Sequence, residues 1–136
     1  MNSLSRFILI DDDEINNMIS SVTIKKMAKN AYIQSFLNPL DGFEHIVTEY
    51  SNPDQDFTAI LFLDLSMPVM DGWEFLDRFG KLDAAIRDRI TVYVLSSSED
   101  NRDINKAKQN KNVSEYVSKP LTTETVRLAN YTSAHR

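Results

Sequence analysis

The amino-acid sequence predicts an α/β fold in which a doubly wound, five-stranded parallel sheet is flanked by five helices. Short apolar runs alternate along the chain with segments whose apolar residues recur at helical spacing. The central run, residues 59–63, contains no polar residue, as expected for a strand that helices cover on both faces of a parallel sheet. In a fold of this class the ligand site lies beyond the carboxyl ends of the strands.

The first half of the chain supplies two of the predicted strands and two helices. Residues 7–10 form a strand that stops at an acidic triplet, and a helix follows to about residue 29. Four apolar residues of this helix recur at i, i+3, i+4 and i+7 and share one face: Ile15, Met18, Ile19 and Val22. A second strand is predicted at residues 32–37. Asn38 and Pro39 then supply the N-cap and first position of a second helix, which ends near Asn52.

The second half continues the alternation from the central strand. A third helix follows that strand after a turn, and a fourth strand covers residues 90–95. Ser98 is predicted to cap a fourth helix over about residues 99–109. A fifth strand at residues 113–117 precedes a final helix that begins near residue 123.

Length, charge and cysteine content limit the classes of function. The 136 residues suffice for one core, so we expect a single domain over residues 1–136 with no output domain. A net charge of -5 argues against direct binding to nucleic acid. We also expect no signal peptide and no membrane association, because the apolar run before Asp11 is too short. The absence of cysteine fits a cytoplasmic protein.

Polar residues follow four of the five predicted strands, where parallel strands would bring them to one edge: Asp11, Asp12, Asp64, Ser96 and Lys119. Carboxylates that lie close together repel one another unless a cation neutralises them. Oxygen ligands without His or Cys favour Mg²⁺. A lysine and a hydroxyl suit the oxygens of a phosphoryl group, and an aspartate can act as its nucleophile. Each residue alone has an ordinary explanation, such as a helix cap or a solvated charge, but their joint occurrence favours a site.

At these residues the chain resembles the receiver domain of two-component response regulators, the chemotaxis-type, flavodoxin-like fold with strand order 2-1-3-4-5. Four segments carry the resemblance: ILIDDD at residues 8–13, LDLSMPVMDG at 63–72, LSS at 95–97 and YVSKP at 116–120. The order of these segments along the chain makes a chance match unlikely, and the resemblance covers nearly the whole length.

The resemblance implies a role for each site residue. Asp64 would be the phosphoacceptor and also a Mg²⁺ ligand. Asp12 and the main-chain carbonyl of Ser66 would likewise bind Mg²⁺ directly, and Asp11 would orient metal-bound water. Ser96 and Lys119 would contact the phosphoryl oxygens. In the family the bond before the proline that follows this lysine is usually cis, which is energetically accessible at an X-Pro bond.

The resemblance also implies a switch and its partners. On phosphorylation Ser96 would move towards the phosphoryl group and Tyr116 would turn inward, remodelling a protein-binding surface. From periodicity alone Tyr116 is an ordinary half-buried strand aromatic. A histidine kinase or a histidine phosphotransfer protein would donate the phosphoryl group. The signal would then leave by docking to a target protein or by transfer to a phosphotransfer protein, and the sequence leaves both open.

Three other functions compete with this one. Phosphatases of the haloacid-dehalogenase type place an acid-base aspartate two positions after the nucleophile, where this chain has Ser66. A dinucleotide-binding domain is excluded because no G-x-G-x-x-G follows the first strand. The remaining alternative is a pseudo-receiver that docks without phosphorylation, but such modules usually lose an acid or the lysine. We therefore expect a phosphoacceptor signalling domain rather than an enzyme.

Overall fold

The computed structural model describes residues 5–134, which form one parallel sheet with helices on both faces. The elements in chain order are β1 (Arg6–Ile10), α1 (Glu14–Met27), β2 (Tyr32–Phe36), α2 (Pro39–Glu49), β3 (Ala59–Leu63), α3 (Gly72–Gly80), α4 (Ala84–Arg87), β4 (Ile90–Ser96), α5 (Asn101–Gln109), β5 (Val113–Ser118) and α6 (Thr123–Ala134).

The five strands are all parallel and lie in the order β2-β1-β3-β4-β5, which confirms the predicted sheet and strand order. Strand β3 lies at the centre, between β1 and β4. Its last residue, Leu63, pairs with Ile10 of β1 and Val94 of β4. The carboxyl ends of these three neighbouring strands therefore meet at one edge, where the polar residues follow them.

Each face of the sheet has its own core, and strand residues alternate between them. Ile8 and Ile10 face the cluster formed with α2, α3, α4 and α5, whereas Phe7 and Leu9 face the cluster formed with α1 and α6. Because both faces are covered, residues 7–10 of β1 and all of β3 are apolar rather than alternating with polar residues.

The prediction of five helices was wrong, because residues 5–134 contain six. The additional helix, α4, lies in the link between α3 and β4. Ile86 anchors it in the core, and the side chain of Arg87 donates a hydrogen bond to the carbonyl of Leu82, 2.9 Å away. A helix of four residues is barely one turn long, so no periodic pattern could reveal it.

Helix α1 is where it was predicted, but its apolar stripe faces solvent. Ile15, Met18, Ile19 and Val22 are between 45% and 63% exposed. The buried face of the helix instead carries Asn17, Ser20 and Ile24. Small and polar residues allow α1 to pack beside the sheet while the larger apolar side chains remain accessible. We call these four exposed side chains the α1 apolar face.

The predicted cap of the fourth helix was also wrong. Helix α5 begins at Asn101, and its N-cap is Asp100, whose carboxylate accepts the backbone N–H of Arg102 at 2.9 Å. Ser98 instead binds Asp103 through its hydroxyl, at 2.8 Å, and shapes the loop before the helix. By contrast, Asn38 caps α2 with Pro39 at the first turn, as predicted.

No helix in the described part of the chain is long and apolar enough to cross a membrane.

Candidate phosphoacceptor site

Three carboxylates converge at the carboxyl edge of the sheet. Asp11 and Asp12 follow β1, and Asp64 follows β3. One oxygen from each lies within 4.8 Å of the others. Asp11 and Asp64 are only 4% and 6% exposed, whereas Asp12 is open to solvent. The acidic cluster is therefore mostly buried, with one carboxylate accessible to solvent.

Lys119 brings a positive charge to the two buried acids. It follows β5, and its peptide bond to Pro120 is cis. The ammonium nitrogen lies 2.8 Å from Oδ2 of Asp11 and 3.4 Å from Oδ1 of Asp64. The backbone N–H of Lys119 donates to the carbonyl of Ser96, which holds the end of β5 against the end of β4. One cation is thus shared between two acids.

The charges and burial of the site shift the pKa values of its groups. Burial, and then the charge of Asp11, raise the pKa of Asp64 despite the attraction of Lys119. Burial lowers the pKa of Lys119, but its contacts with Asp11 and Asp64 outweigh that effect, so the pKa lies above its ordinary value. The lysine is therefore protonated at neutral pH. A single ammonium leaves the three carboxylates with an excess of negative charge.

The donor set fits a hard divalent cation. All three clustered side chains are carboxylates, and this chain has no cysteine. Mg²⁺ prefers such oxygen ligands and accepts a site that supplies only a few of them, with water completing its shell. Burial, and then the charge of Asp11, raise the pKa of Asp64, and a bound cation would stabilise its charged form. Ser66, whose main-chain carbonyl was predicted to bind the metal, is an exposed residue of the loop between β3 and α3, two positions after Asp64.

Ser96 and Tyr116 lie on the neighbouring strands β4 and β5. Ser96 is the buried last residue of β4, and its hydroxyl oxygen accepts the backbone N–H of Ser98 at 3.0 Å. Tyr116 lies on β5, half-buried, and its hydroxyl donates to the carbonyl of Ser98 at 2.5 Å. Both predicted switch residues therefore hold the same loop between β4 and α5.

Two asparagines of α1 belong to the site and were missed in the sequence. The side-chain amide of Asn16 donates to Oδ2 of Asp11 at 2.6 Å. The amide of Asn17 is buried and donates to the main-chain carbonyl of Asp11 at 3.0 Å. A hint was present, because both lie within about a turn and a half of the acidic triplet. Only the orientation of α1 in the structure, however, shows that both side chains point back at Asp11.

Gly72 lets the start of α3 pack closely against the site. A Cβ at this position would lie 2.6 Å from the carbonyl oxygen of Asp64 and 2.8 Å from Cα of Leu65. The backbone N–H of Gly72 also donates to the carbonyl of Leu65. The glycine therefore sets the backbone position of the residues that carry the central carboxylate.

The chain belongs to the response regulator receiver domain family, because the sequence model of that family matches residues 7–130. The geometry of the site agrees with this assignment. The protein is therefore a receiver domain of the two-component type, a signalling domain rather than an ordinary enzyme. No curated protein matches the chain in a sequence comparison.

Solved structures agree with the family assignment. A two-component response regulator from Cytophaga hutchinsonii is 29% identical, with 99% of this chain and 100% of that one aligned and a TM-score of 0.87. A response regulator receiver protein from Dyadobacter fermentans is 25% identical, with 96% and 98% aligned and a TM-score of 0.83. A receiver domain from Clostridium thermocellum, 21% identical with 98% and 96% aligned and a TM-score of 0.71, shows the same fold.

Proposed function

We propose that Asp64 accepts a phosphoryl group from a phosphohistidine, and that this modification switches a protein-binding surface of the domain. The observation that carries the proposal is the placement of Asp64 beside a second buried acid and a protonated lysine, at the carboxyl end of the central strand. A carboxylate that is buried with a cation close by is a suitable nucleophile for phosphoryl transfer.

Mg²⁺ is the cofactor that the site fits. Asp12, Asp64 and the main-chain carbonyl of Ser66 would hold it directly, and Asp11 would hold it through water. The bound cation would supply neutralisation of the charge on the phosphoryl oxygens during transfer.

The side chains of the site would carry out the transfer and bind the transferred phosphoryl group. A carboxylate oxygen of Asp64 attacks phosphorus, the bond between phosphorus and the donor imidazole nitrogen breaks, and an acyl phosphate remains on Asp64. Lys119 already lies 3.4 Å from Oδ1 of Asp64, so a small movement brings its ammonium to a phosphoryl oxygen. Ser96 supplies a hydroxyl hydrogen to another oxygen, since its own oxygen is occupied by the N–H of Ser98.

The phosphodonor that we propose is a histidine kinase or a histidine phosphotransfer protein. The α1 apolar face supports a protein donor, because it begins directly after the acidic triplet and exposes large apolar side chains for which the fold has no structural use. Its position beside the site suits a partner that must bring a histidine to Asp64. The acidic net charge again disfavours nucleic acid as a direct partner.

The switch that we propose passes from Asp64 through Ser96 to Tyr116. Ser96 and Tyr116 both bind Ser98, so a movement of Ser96 towards a phosphoryl group would disturb the loop that Tyr116 holds. That loop leads into α5, and the surface formed by α5, β5 and α6 would change with it. The output is then either docking to a target protein or onward transfer to a phosphotransfer protein.

A single-domain architecture and a cytoplasmic location remain predictions.

The alternative is a pseudo-receiver that docks without phosphorylation. The retention of all three carboxylates, the lysine and the strand-end serine favours the phosphoacceptor. Intact mass spectrometry after incubation with acetyl phosphate tests the choice, with and without Mg²⁺ and with an Asp64→Asn variant. We expect one added phosphoryl group on the wild type, only with Mg²⁺, and none on the variant. A folded wild type that never gains this mass, even with candidate kinases, would favour the docking module.

A further inference from the structure

The side chain of Asp11 accepts hydrogen bonds from three donors, two at the start of α1 and one in the loop after β5. The backbone N–H of Asp13 donates to Oδ1 at 2.9 Å, while Oδ2 accepts both the Lys119 ammonium at 2.8 Å and the Asn16 amide at 2.6 Å. Asn16 lies in the first turn of α1, and its own backbone N–H is bound by the capping carboxylate of Asp13, 3.3 Å away. The amide therefore approaches Asp11 from a fixed position.

Phosphorylation of Asp64 would remove one of these donors. Lys119 would turn to the phosphoryl oxygens, and Oδ2 of Asp11 would lose its charged partner. Among the donors to this oxygen in residues 5–134, the Asn16 amide would then remain in place. The Asn16 amide can keep the Asp11 carboxylate oriented while Lys119 binds the phosphoryl group.

The neutrality of the amide is essential to this role. A lysine or arginine at the same place would cancel the charge of Asp11 and repel a divalent cation. An amide fixes the plane of the carboxylate and leaves its full negative charge available. Side chains that orient metal-binding carboxylates in this way contribute strongly to metal affinity.

We propose that Asn16 is a positioning residue of the cation site, which holds Asp11 in the orientation that water-mediated Mg²⁺ binding needs. The proposal rests on the proposed function, since it assumes that the acidic cluster binds Mg²⁺. It assigns to α1 a part in the site itself, in addition to the partner-binding role of its apolar face.

Calorimetric titration of the unphosphorylated domain with MgCl₂ tests the proposal. Asn16→Ala should weaken Mg²⁺ binding by roughly tenfold, and Asn16→Leu, which keeps the side-chain size, should do the same. Asn105→Ala is the matched control, because Asn105 is an exposed asparagine of α5. It should leave the affinity unchanged. Thermal unfolding without Mg²⁺ establishes that each variant is folded.

Kinetics with acetyl phosphate separate positioning from a general loss of activity. For Asn16→Ala, the Mg²⁺ concentration at half-maximal phosphorylation should rise by the same roughly tenfold, while the rate at saturating Mg²⁺ stays within about twofold of wild type. Wild-type affinity in both folded Asn16 variants would overturn the proposal for Asn16 alone. A wild type that binds no Mg²⁺ would overturn the cation site on which it rests, and a wild type that binds Mg²⁺ without taking a phosphoryl group would count against the proposed function only.

Discussion

The ammonium nitrogen of Lys119 lies closer to Oδ2 of Asp11, at 2.8 Å, than to Oδ1 of the proposed phosphoacceptor Asp64, at 3.4 Å. Lys119 therefore compensates Asp11 first, and Asp64 carries the less well neutralised charge of the two buried acids. Burial, and then the charge of Asp11, raise the pKa of Asp64, and the attraction of Lys119 does not fully offset them. A divalent cation would therefore bind where negative charge is least compensated.

The charge of Asp64 should oppose folding at neutral pH. Burial, and then the charge of Asp11, raise its pKa in the folded chain, so the folded chain holds the Asp64 proton more tightly than the unfolded chain does. The destabilisation is full above the raised pKa and vanishes as the pH falls below the ordinary value of 3.8. Without Mg²⁺, Asp64→Asn should be more stable to urea at pH 7 by roughly 1 kcal/mol, a typical size for one substitution.

The gain from Asp64→Asn should shrink as the pH is lowered towards 3.8. Asp54→Asn, a change at an exposed aspartate between α2 and β3, serves as the control and should have little effect on the urea midpoint. If Asp64→Asn lowers stability at pH 7, the ionised carboxylate stabilises the fold, and our account of its electrostatics is wrong.

Gly72 should resist substitution more than the other glycine of α3. The added methyl group of Gly72→Ala would meet the backbone of Asp64 and Leu65 at 2.6 and 2.8 Å. We expect a loss of about 1–3 kcal/mol in urea unfolding, since backbone must shift to relieve the overlap. We also expect slower phosphorylation by acetyl phosphate.

Gly80→Ala is the matched control. Its methyl group would lie 2.8 Å from the terminal amide nitrogen of Asn112, a side chain that can rotate away. Its stability should remain within about 1 kcal/mol of wild type, because alanine is also the better helix former. Equal losses for the two variants would contradict the idea that Gly72 sets the backbone at the site.

Val69 is held in a conformation that β-branched residues avoid. It lies in the loop between β3 and α3 with φ at 71°, and it is 76% exposed, so packing does not compensate the strain. Val69→Asn should raise the free energy of unfolding by about 1 kcal/mol, because asparagine tolerates this conformation. The same change at Val22, a half-exposed residue of regular helix α1, should give no such gain. A destabilised Val69→Asn would show that the valine makes a favourable contact.

The α1 apolar face should matter for a protein phosphodonor and not for a small one. Met18→Lys should leave stability and phosphorylation by acetyl phosphate nearly unchanged, because Met18 is 59% exposed. Transfer from the cognate kinase or phosphotransfer protein should fall by roughly tenfold, the size expected if Met18 is one of the few contacts that carry the binding energy of the interface. Leu128→Lys changes a similarly exposed residue of α6 and should leave the transfer rate intact. Equal transfer to wild type and Met18→Lys would place the donor elsewhere.

The sequence was sufficient to predict the sheet and the acids, because strand ends are marked by an abrupt change from apolar to polar residues. Asp11 and Asp64 each follow such a run, Lys119 follows the mixed strand β5, and parallel strands bring their ends together. The position of these residues at the ends of predicted strands was therefore enough to predict most of the site.

The details that the sequence did not predict depend on the orientation of helix α1 and on the backbone path of the loop before α5. Periodicity assigned Ile15 and Met18 to one face of α1 but could not say that this face points to solvent. The same orientation brings Asn16 to Asp11, a contact that sequence spacing does not reveal. Ser98 and Asp100 are equally good caps by residue type, and only the backbone path of the loop selects Asp100.

The central claim is that Asp64 carries the phosphoryl group, and chemical trapping tests it most directly. After incubation with acetyl phosphate and Mg²⁺, reduction with sodium borohydride converts an aspartyl phosphate to homoserine, which peptide mass spectrometry can locate. Our account predicts homoserine at position 64, and none there when Mg²⁺ is omitted. Homoserine at position 11, 12 or 71 instead, or at no aspartate of the phosphorylated protein, would contradict it.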